Sequence, residues 1–535
     1  MTLLDVRDLS VGIDATTILE SVSLALSPGE VLGIAGESGS GKTMTALAIA
    51  GLLPPRARHS GNITLDGTDL SAADEDAWCR IRGRDIGIVF QEPMTALNPL
   101  MTIGDQVAET VRVHGSASRR EARELARKTL ERVGLPASRF PLGRYPHSLS
   151  GGQRQRVAIA MAMVLEPKLL IADEPTTALD VTTQAGILAL FRELVDESGV
   201  GLMLVSHDLA VLAETADRVV IMKNGAIVEQ GQVGQVLRTP QTSYTAKLLA
   251  DTRHVPQRDD GRRLGQEPVL ETRNIVREYP GPARLLRKRE AFRAIDDVSL
   301  QVFANENVGL VGESGCGKST LLRTILGLDA AQRGEVRVFG QAFPPRDQHE
   351  MRRLRQSIQV VFQDPFGTFD PRWRVHKIVA ENFHLVDEPL TRAESRHRVD
   401  RILERVGLSA ADADRYPHEF SGGQRQRIAI ARALVTEPAI VALDEAVSAL
   451  DVTVRARILD LLAELSDRMG TSWLFVSHDL SVMRAITDRV LVMKDGRIVE
   501  EGATEDVFAH PLHPYTVELL KAAPDLDGTL SADDA

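Results

Sequence analysis

The sequence predicts two tandem α/β domains, each built around a mainly parallel β-sheet covered by helices. Three observations predict this fold. The chain consists of two similar copies, each about half its length. In both copies, short apolar runs rich in branched residues alternate with helical segments, and a glycine-rich motif follows one of these runs. Because the repeat is far longer than the roughly 20 to 50 residues of a solenoid unit, each copy is expected to be a complete domain.

The repeat also sets the expected domain boundaries. Tyr244-Thr245, near the end of the first copy, returns as Tyr515-Thr516 near the end of the second. We expect the first domain to cover residues 1–250 and the second to cover residues 268–535. Residues 251–267 between them are polar and charged, with few large apolar side chains, which is typical of a linker.

The composition of the 535 residues restricts the classes of function. The chain has 63 basic and 74 acidic residues, a net charge of −11, and this sign disfavours nucleic acid as a partner. Two cysteines, Cys79 and Cys316, are too few for a disulfide framework or a four-cysteine zinc site. No apolar stretch reaches the roughly 20 residues of a membrane span, and the N-terminus lacks the pattern of a secretory signal, so we expect a cytoplasmic protein.

Continuous apolar runs predict strands that are buried on both faces. In the first copy these runs are Val31 to Ala35, Lys168 to Ala172, Gly201 to Val205 and Val219 to Met222. In the second copy they are Ala439 to Leu443, Ser472 to Val476 and Val490 to Met493. Between Met94 and Leu165, and between Phe366 and Leu434, the pattern predicts a helical insertion instead.

The glycine-rich motifs predict phosphate loops. Their backbone N–H groups turn around phosphate oxygens, the lysine reaches the β and γ phosphates, and the Thr or Ser hydroxyl is offered to Mg²⁺. Since the motif follows an apolar run in both copies, the alternative interpretation, a glycine-rich turn that binds no ligand, is disfavoured. The expected nucleotide-binding residues are Gly36, Ser38, Gly39, Ser40, Gly41, Lys42 and Thr43 in the first copy, and Gly312, Ser314, Gly315, Cys316, Gly317, Lys318 and Ser319 in the second.

A carboxylate pair ends a predicted strand in each copy, Asp173-Glu174 in the first and Asp444-Glu445 in the second. The aspartate can hold Mg²⁺, and the glutamate can position or deprotonate a water for attack on the γ phosphate. On its own, an apolar run that ends in Asp-Glu is more often a strand that enters a solvated loop. Beside a phosphate loop, the pair indicates a site of ATP hydrolysis.

A Ser-Gly-Gly-Gln motif precedes an apolar helix in each copy. A serine hydroxyl and glycine N–H groups at a helix N-terminus attract phosphate, although a simple serine N-cap would explain the serine equally well. The accompanying Gln91, Gln363, His207 and His478 favour the phosphate role. The motif residues are Ser150, Gly151, Gly152 and Gln153 in the first copy, and Ser421, Gly422, Gly423 and Gln424 in the second.

With these motifs the chain resembles the ATP-binding cassette (ABC) ATPases over nearly its full length. Phosphate loop, glutamine loop, signature, carboxylate strand, D-loop aspartate (Asp180, Asp451) and switch histidine follow in this order in both copies. The resemblance implies that each domain adds an antiparallel β subdomain and a helical subdomain to its core sheet. It also implies that two ATP molecules are sandwiched, each between one half's phosphate loop and the other half's signature.

The resemblance implies roles for single residues as well. Catalytic roles are implied for Glu174, Glu445, His207, His478, Gln91 and Gln363, and Mg²⁺ ligation for Thr43, Gln91, Asp173, Ser319, Gln363 and Asp444. This family commonly places an aromatic ring against the adenine, some distance before the phosphate loop. Phe292 occupies such a position in the second half, whereas Thr16 is its counterpart in the first. Packing at a strand edge is the alternative interpretation of Phe292.

More narrowly, the chain is similar to fused ATPase subunits of peptide/nickel-type importers. The motifs are Tyr-Pro-His before each signature and a tail, residues 511–516, that reads Pro-Leu-His-Pro-Tyr-Thr; the first copy keeps a degraded version at residues 240–245. The resemblance implies two transmembrane permease subunits, an extracytoplasmic substrate-binding protein and a location at the cytoplasmic face of the membrane. Coupling helices of the permeases would contact residues 93–106 and 365–378.

Some relatives hold an iron–sulfur cluster with tail cysteines. Residues 233–267 and 504–535 contain no cysteine, so we expect ATP and Mg²⁺ but no cluster. A soluble twin-cassette ATPase of translation or DNA repair is the main alternative; it would be expected to have a longer charged linker or zinc-binding cysteines. An exporter is disfavoured by the tail. The solute stays open among dipeptides, longer peptides, glutathione, nickel chelates and oligosaccharides.

Overall fold

The computed structural model describes residues 2–91, 96–115, 117–177, 179–258, 263–280, 291–447 and 450–532, apart from the side chains of residues 365, 366 and 532. Part of the predicted glutamine-loop segment, Pro93 to Thr95, therefore lies outside the described residues. Within the described part of the chain, each half contains one antiparallel and one mainly parallel sheet.

The strands of the first half are β1 (Leu4–Ile13), β2 (Thr16–Leu26), β3 (Val31–Ala35), β4 (Ala57–Leu65), β5 (Thr68–Asp69), β6 (Ile86–Val89), β7 (Leu169–Asp173), β8 (Gly201–Val205), β9 (Arg218–Lys223) and β10 (Ala226–Gln232). Those of the second half are β11 (Pro268–Tyr279), β12 (Phe292–Phe303), β13 (Asn307–Val311), β14 (Arg333–Val338), β15 (Gln341–Phe343), β16 (Ile358–Val361), β17 (Ile440–Asp444), β18 (Ser472–Val476), β19 (Arg489–Lys494) and β20 (Arg497–Ala503).

The helices of the first half are α1 (Lys42–Ile49), α2 (Glu75–Ile81), α3 (Ile103–His114), α4 (Arg119–Arg132), α5 (Gly151–Met163), α6 (Val181–Ser198), α7 (Leu209–Thr215), α8 (Val233–Arg238) and α9 (Ser243–Thr252). Those of the second half are α10 (Lys318–Ile325), α11 (Gln348–Ser357), α12 (Pro365–Thr368), α13 (Val375–Val379), α14 (Arg392–Arg405), α15 (Gly422–Leu434), α16 (Val452–Met469), α17 (Leu480–Ile486), α18 (Thr504–Ala509), α19 (Pro514–Ala522) and α20 (Leu526–Ala532). Short 3₁₀ turns occur at Pro146–Ser148, Ala380–Leu385, Ala410–Asp414 and Pro417–Glu419.

The two halves have the same sheet topology. The core sheets run β6-β7-β8-β3-β9-β10 and β16-β17-β18-β13-β19-β20, parallel except for the last pair, and antiparallel sheets β2-β1-β4-β5 and β12-β11-β14-β15 lie beside them. The predicted α/β fold with its antiparallel and helical subdomains is confirmed. The central strands β3 and β13 are buried along their whole length, as their uninterrupted apolar sequences predicted.

The predicted strands lie within one residue of the observed ones. The strand predicted at Lys168 to Ala172 extends instead from Leu169 to Asp173, because Asp173 pairs with Val205 at the end of the parallel ladder. The same shift occurs in β17, where Asp444 pairs with Val476. The sheet itself thus holds the first carboxylate of each pair.

The ends of the two halves cross over to each other. Helix α9 runs to Thr252, beyond the expected domain boundary, and packs against α16 of the second half. In return, α19 packs against α6, and the C-terminal helix α20 packs against α7 with Leu526 and Leu530 buried in the core of the first half. Burial of these apolar side chains joins the two halves. Among the described residues, we find no helix that has both the length and the apolar character needed to span a membrane.

Candidate nucleotide sites

Each phosphate loop joins a buried central strand to a helix that begins at the motif lysine. The ammonium of Lys42 donates to the carbonyl oxygens of Gly36 and Glu37, at 2.8 and 3.0 Å, so the side chain folds back across its own loop. Lys318 makes the equivalent two bonds in the second loop, at 2.6 and 2.9 Å. Burial lowers the pKa of Lys42, although nearby carboxylates, Glu174 first among them, act in the opposite direction.

The loops have the shape that a phosphate needs. Gly39 and Gly315 have φ of +77° and +84°, and a Cβ atom built on either would meet nothing within 4 Å, so the mouth of each loop is open. In the first loop the Ser40 hydroxyl is buried without a hydrogen-bond partner among the described residues. An open glycine cradle with an orphaned hydroxyl fits a bound phosphate group.

The first carboxylate of each pair lies beside the phosphate loop. Thr43 Oγ1 donates to Asp173 Oδ1 at 3.3 Å, and burial raises the pKa of Asp173. In the second half, burial and the charge of Glu445 raise the pKa of Asp444 to about 6, and its buried Oδ1 has no partner among the described residues. A hydroxyl and carboxylate oxygens are suitable ligands for Mg²⁺.

No cluster of three or more His, Cys, Asp and Glu side chains in the described part of the chain could hold a metal ion by itself. Beside phosphates, Mg²⁺ is usually bound by one or two carboxylates together with phosphate oxygens and water.

The second carboxylate of each pair is surrounded by the predicted glutamine and histidine. Gln91 Nε2 donates to Glu174 Oε2 at 2.7 Å, and His207 Nδ1 lies 3.3 Å from Oε1. The equivalent distances around Glu445 in the second half are 2.7 Å and 3.1 Å. The structure thus brings together a glutamine, a glutamate and a histidine in each half, although these three residues are far apart in sequence. The catalytic roles of the six residues stay predictions.

Thr177 was missed by the sequence analysis. Its hydroxyl donates to Glu174 Oε2 at 3.1 Å, sharing that oxygen with the glutamine. The counterpart in the repeat is Ser448, also a hydroxyl residue, and this match was the available signal; Ser448 lies outside the described residues.

Both glutamates have a strained backbone. Their φ angles are +46° for Glu174 and +49° for Glu445, a region that residues other than glycine rarely adopt. The N–H groups of these residues donate to Val205 and Val476 of the neighbouring strands, which holds the turn in place. The turn after the strand therefore has the same backbone conformation at the same position in both copies.

The glutamates are also kept ionised. Burial raises the pKa of Glu174, but the hydrogen bond and charge of His207 and the charge of Lys42 outweigh it, so that the pKa lies below its usual value. The same balance, with His478 and Lys318, lowers the pKa of Glu445. A carboxylate that is charged at neutral pH can accept a proton from water.

The signature serines cap their helices. Ser150 Oγ accepts a hydrogen bond from Gln153 N, and Ser150 N donates to Gln153 Oε1 at 3.1 Å. Ser421 and Gln424 form the same capping box on α15. Both serines are exposed. The N-cap interpretation is therefore correct for this structure, and the contact of these serines with phosphate stays a prediction.

One glycine of each signature is required by packing. A Cβ on Gly152 would lie 2.1 Å from Thr183 Cγ2, and one on Gly423 would lie 2.4 Å from Val454 Cγ1, whereas Gly422 has open space. The close approach places the signature helix directly against the helix that follows the D-loop aspartate.

The D-loop regions reach across to the opposite phosphate loops. Asp180 Oδ2 accepts a hydrogen bond from Ser314 N of the second loop at 3.2 Å, while its Oδ1 caps α6. In the other direction, Thr453 Oγ1 lies 2.9 Å from Glu37 Oε1 of the first loop. Each half therefore contributes side chains next to the other half's phosphate loop.

Phe292 is the first residue of β12, pairs with Tyr279 and is 62% exposed. Thr16 begins β2 in the same way, opposite Ile13. The strand register thus agrees with the sequence alignment of Phe292 and Thr16, and it leaves the phenyl ring free to meet a ligand.

The geometry defines a P-loop ATPase with a duplicated nucleotide site, and comparison with known proteins narrows this class. A family model described as "ABC transporter" matches residues 19–177 and 295–448, and one described as "Oligopeptide/dipeptide transporter, C-terminal region" matches residues 499–534. The chain belongs to the ABC transporter family, and it is an ATP-binding and ATP-hydrolysing subunit that acts with membrane-embedded partners.

The similar proteins include two ATP-binding proteins that match this chain over most of their own length. The peptidoglycan transport ATP-binding protein YejF of Agrobacterium fabrum is 46% identical, over 97% of this chain and 96% of that protein. The glutathione import ATP-binding protein GsiA of Pectobacterium atrosepticum is 42% identical, over 98% and 90%. The solved cbiO1 structure from Clostridium perfringens, 26% identical, covers 50% of this chain and 100% of its own, with a TM-score of 0.41.

Because Asp444 is largely buried, its negative charge is expected to lower the free energy of unfolding of the nucleotide-free protein. Because the pKa is about 6 in the folded state and about 3.9 when unfolded, the folded state binds more protons between these values, and stability falls as the pH rises from about 4 to about 6. Asp444→Asn should raise the free energy of unfolding at pH 7.5 by about 1–2 kcal/mol, after allowance for solvent screening.

Denaturant unfolding followed by tryptophan fluorescence, to which the buried Trp473 contributes, would measure this effect. The variant should also lose the part of the pH dependence between about pH 4 and 6 that Asp444 contributes. An unfolding midpoint that equals that of the parent at pH 7.5 would contradict the assignment.

Proposed function

We propose that this chain is the motor subunit of an importer that takes up peptides or a related small solute across the cytoplasmic membrane. The observation that carries the proposal is the combination of two ABC transporter matches, each with its set of nucleotide-site motifs, and a match of residues 499–534 to the oligopeptide/dipeptide transporter C-terminal region. Relatives over almost the whole length are named for peptidoglycan transport and glutathione import, which also supports import over a soluble role in translation or repair.

Within this proposal each composite site has named residues. Lys42 and the first phosphate loop hold the triphosphate of one ATP, and Thr43 and Asp173 supply ligands for Mg²⁺, which neutralises phosphate charge when bound. Glu174 orients the attacking water and takes its proton, while Gln91 and His207 fix the carboxylate. Ser421 and Gly423 of the second half close the site.

In the other composite site, the second half supplies the phosphate loop and the catalytic residues, and the first half supplies the signature. Lys318, Ser319, Asp444, Glu445, Gln363 and His478 act with Ser150 and Gly152. Since neither half has lost its glutamate or histidine, both sites are proposed to hydrolyse ATP. The two phosphate loops differ at two positions: Ser40 corresponds to Cys316, a buried thiol, and Thr43 corresponds to Ser319, which also has a hydroxyl.

The proposed partners are two permease subunits and an extracytoplasmic substrate-binding protein, and the chain would lie at the cytoplasmic face of the membrane. Purification of the tagged protein from detergent-solubilised membranes should recover two polytopic membrane proteins. Recovery of ribosomes or DNA instead would contradict the proposal. Uptake of labelled dipeptides, longer peptides and glutathione by cells with and without the gene would then identify the solute.

The exposed ring of Phe292 gives a prediction for adenine binding. Phe292→Ala, in a Lys42→Ala background that disables the first site, should weaken ATP binding about two- to tenfold, since an aromatic contact contributes roughly 0.5–1.5 kcal/mol beyond area burial. Thr16→Ala, in a Lys318→Ala background, is the matched control and should leave ATP affinity unchanged, because residue 16 has no ring. Equal affinities of parent and Phe292→Ala would mean that the ring only packs.

A further inference from the structure

The tyrosine of each tail reaches the phosphate loop of its own half. Tyr244 of α9 accepts a hydrogen bond from the backbone N–H of Glu37 at 3.2 Å, and Tyr515 of α19 accepts one from Glu313 N at 3.0 Å. Both side chains are almost fully buried, at 8% and 2% exposure. The same atom therefore meets the same loop position in both halves, although more than 200 residues separate the partners in sequence.

The other residues of the tail motif fix the orientation of the tyrosine ring. In the second half, the Glu500 carboxylate accepts hydrogen bonds from Leu512 N and His513 N, and His513 Nδ1 accepts from Tyr515 N as the helix begins. Pro514 takes the first helical position, where its missing N–H costs nothing. The sequence of the tail thus fixes the start of α19 and, with it, the direction of the phenol.

The degraded first tail keeps this geometry with different residues. Glu229 accepts hydrogen bonds from Gln241 N and Thr242 N, and Thr242, in place of the histidine, caps α9. Glu229 and Thr242 thus take the places of Glu500 and His513, and the contact between tyrosine and phosphate loop is common to the two tails.

Each ring is held from its other side by a lysine at the end of a core strand. Lys223 Nζ lies 4.7 Å from the centroid of the Tyr244 ring, and Lys494 Nζ lies 4.4 Å from that of Tyr515. These cation–π contacts favour a fixed ring. Burial and the charge of Glu313 raise the pKa of Tyr515, so the phenol stays neutral and its oxygen keeps a lone pair for the N–H.

The tail helices also contact the opposite half. Thr453 Oγ1 at the start of α16 lies 2.9 Å from both Glu37 Oε1 and Asp251 Oδ2, so one hydroxyl of the second half is shared between the first loop and α9. On the other side, α19 packs against α6. The loop residue that meets the tyrosine is thus next to the contact between the halves.

We propose that Tyr244 and Tyr515 are positioning residues for ATP binding, which hold each phosphate loop in its binding conformation from the C-terminal tail. The proposal rests on the proposed nucleotide sites and adds a role for the tail motif. A loop that is ordered in advance loses less conformational entropy when it binds ATP, so removal of the phenol oxygen raises the cost of binding.

The test is Tyr244→Phe in a Lys318→Ala background and Tyr515→Phe in a Lys42→Ala background, with the full-length chain. Phenylalanine keeps the ring and removes only the hydrogen-bond acceptor. We expect the Kd of a fluorescent ATP analogue, and the KM for ATP, to rise about three- to tenfold, with kcat within about twofold. Tyr145→Phe is the control, because its ring is exposed and stacks on His147.

The outcomes separate the proposal from its alternatives. A purely structural tyrosine would lower the denaturant midpoint without a change in Kd, and this result would overturn the proposal, as would a fall in kcat at unchanged Kd. If neither the wild-type chain nor the two Lys→Ala parents bind the ATP analogue, the proposed nucleotide sites themselves are wrong. A selective rise in Kd for both tyrosine variants, but not for Tyr145→Phe, supports the role.

Discussion

Replacement of both Glu174 and Glu445 by glutamine is expected to lower ATPase turnover by about 10²–10⁴-fold while ATP binding is largely retained. Glutamine has the same size but cannot accept a proton from the attacking water, and general-base catalysis contributes an effect of this order. Each carboxylate is ionised, lies within 3.3 Å of its histidine and is contacted by its glutamine. Steady-state ATPase assays and binding of a fluorescent ATP analogue would measure the two quantities separately.

The chain provides matched controls for these substitutions. Glu166 and Glu437 also have a positive φ, of +51° and +50°, and lie just before the same strands, β7 and β17, at the opposite end from the sites. Glu166→Gln and Glu437→Gln should leave turnover unchanged. Either single replacement at a proposed base should lower turnover, and an unchanged rate would mean that the assignment of that site is wrong.

Gly312→Ala is expected to destabilise the second half by about 3 kcal/mol or more. Its φ is +152°, and a Cβ would lie 2.2 Å from the carbonyl oxygen of Met493, a backbone atom that cannot move without disturbing β19. Steric overlap in a packed core and strained backbone each cost about 1–3 kcal/mol. Denaturant unfolding, followed by tryptophan fluorescence with a contribution from Trp473 on the strand next to β13, would report the loss.

Gly315→Ala in the same loop is the control for stability. Its φ of +84° also disfavours alanine, but the Cβ would meet no atom within 4 Å, so the expected cost is only about 1–2 kcal/mol. Equal destabilisation by the two substitutions would show that backbone conformation alone, and not the contact with Met493, requires glycine at residue 312.

Local patterns in the sequence were sufficient for the fold class and for most of the candidate site. Apolar runs such as Gly201 to Val205 predicted the strands, because a strand buried on both faces needs an uninterrupted apolar sequence. The phosphate loops, the carboxylate pairs and the signature motifs could be identified because their chemistry depends on residues that are adjacent in the chain. The duplication then located every motif a second time.

What the sequence by itself determined is therefore the set of short motifs, their order and the two-domain organisation expected from their repetition. Only the tertiary structure decided which distant atoms meet: the glutamine and histidine on each glutamate, Asp180 on the opposite loop, and the tail tyrosines on Glu37 and Glu313. These contacts join residues dozens to hundreds of positions apart. They depend on strand order, register and the packing of one half on the other, and no local pattern of residues encodes those quantities.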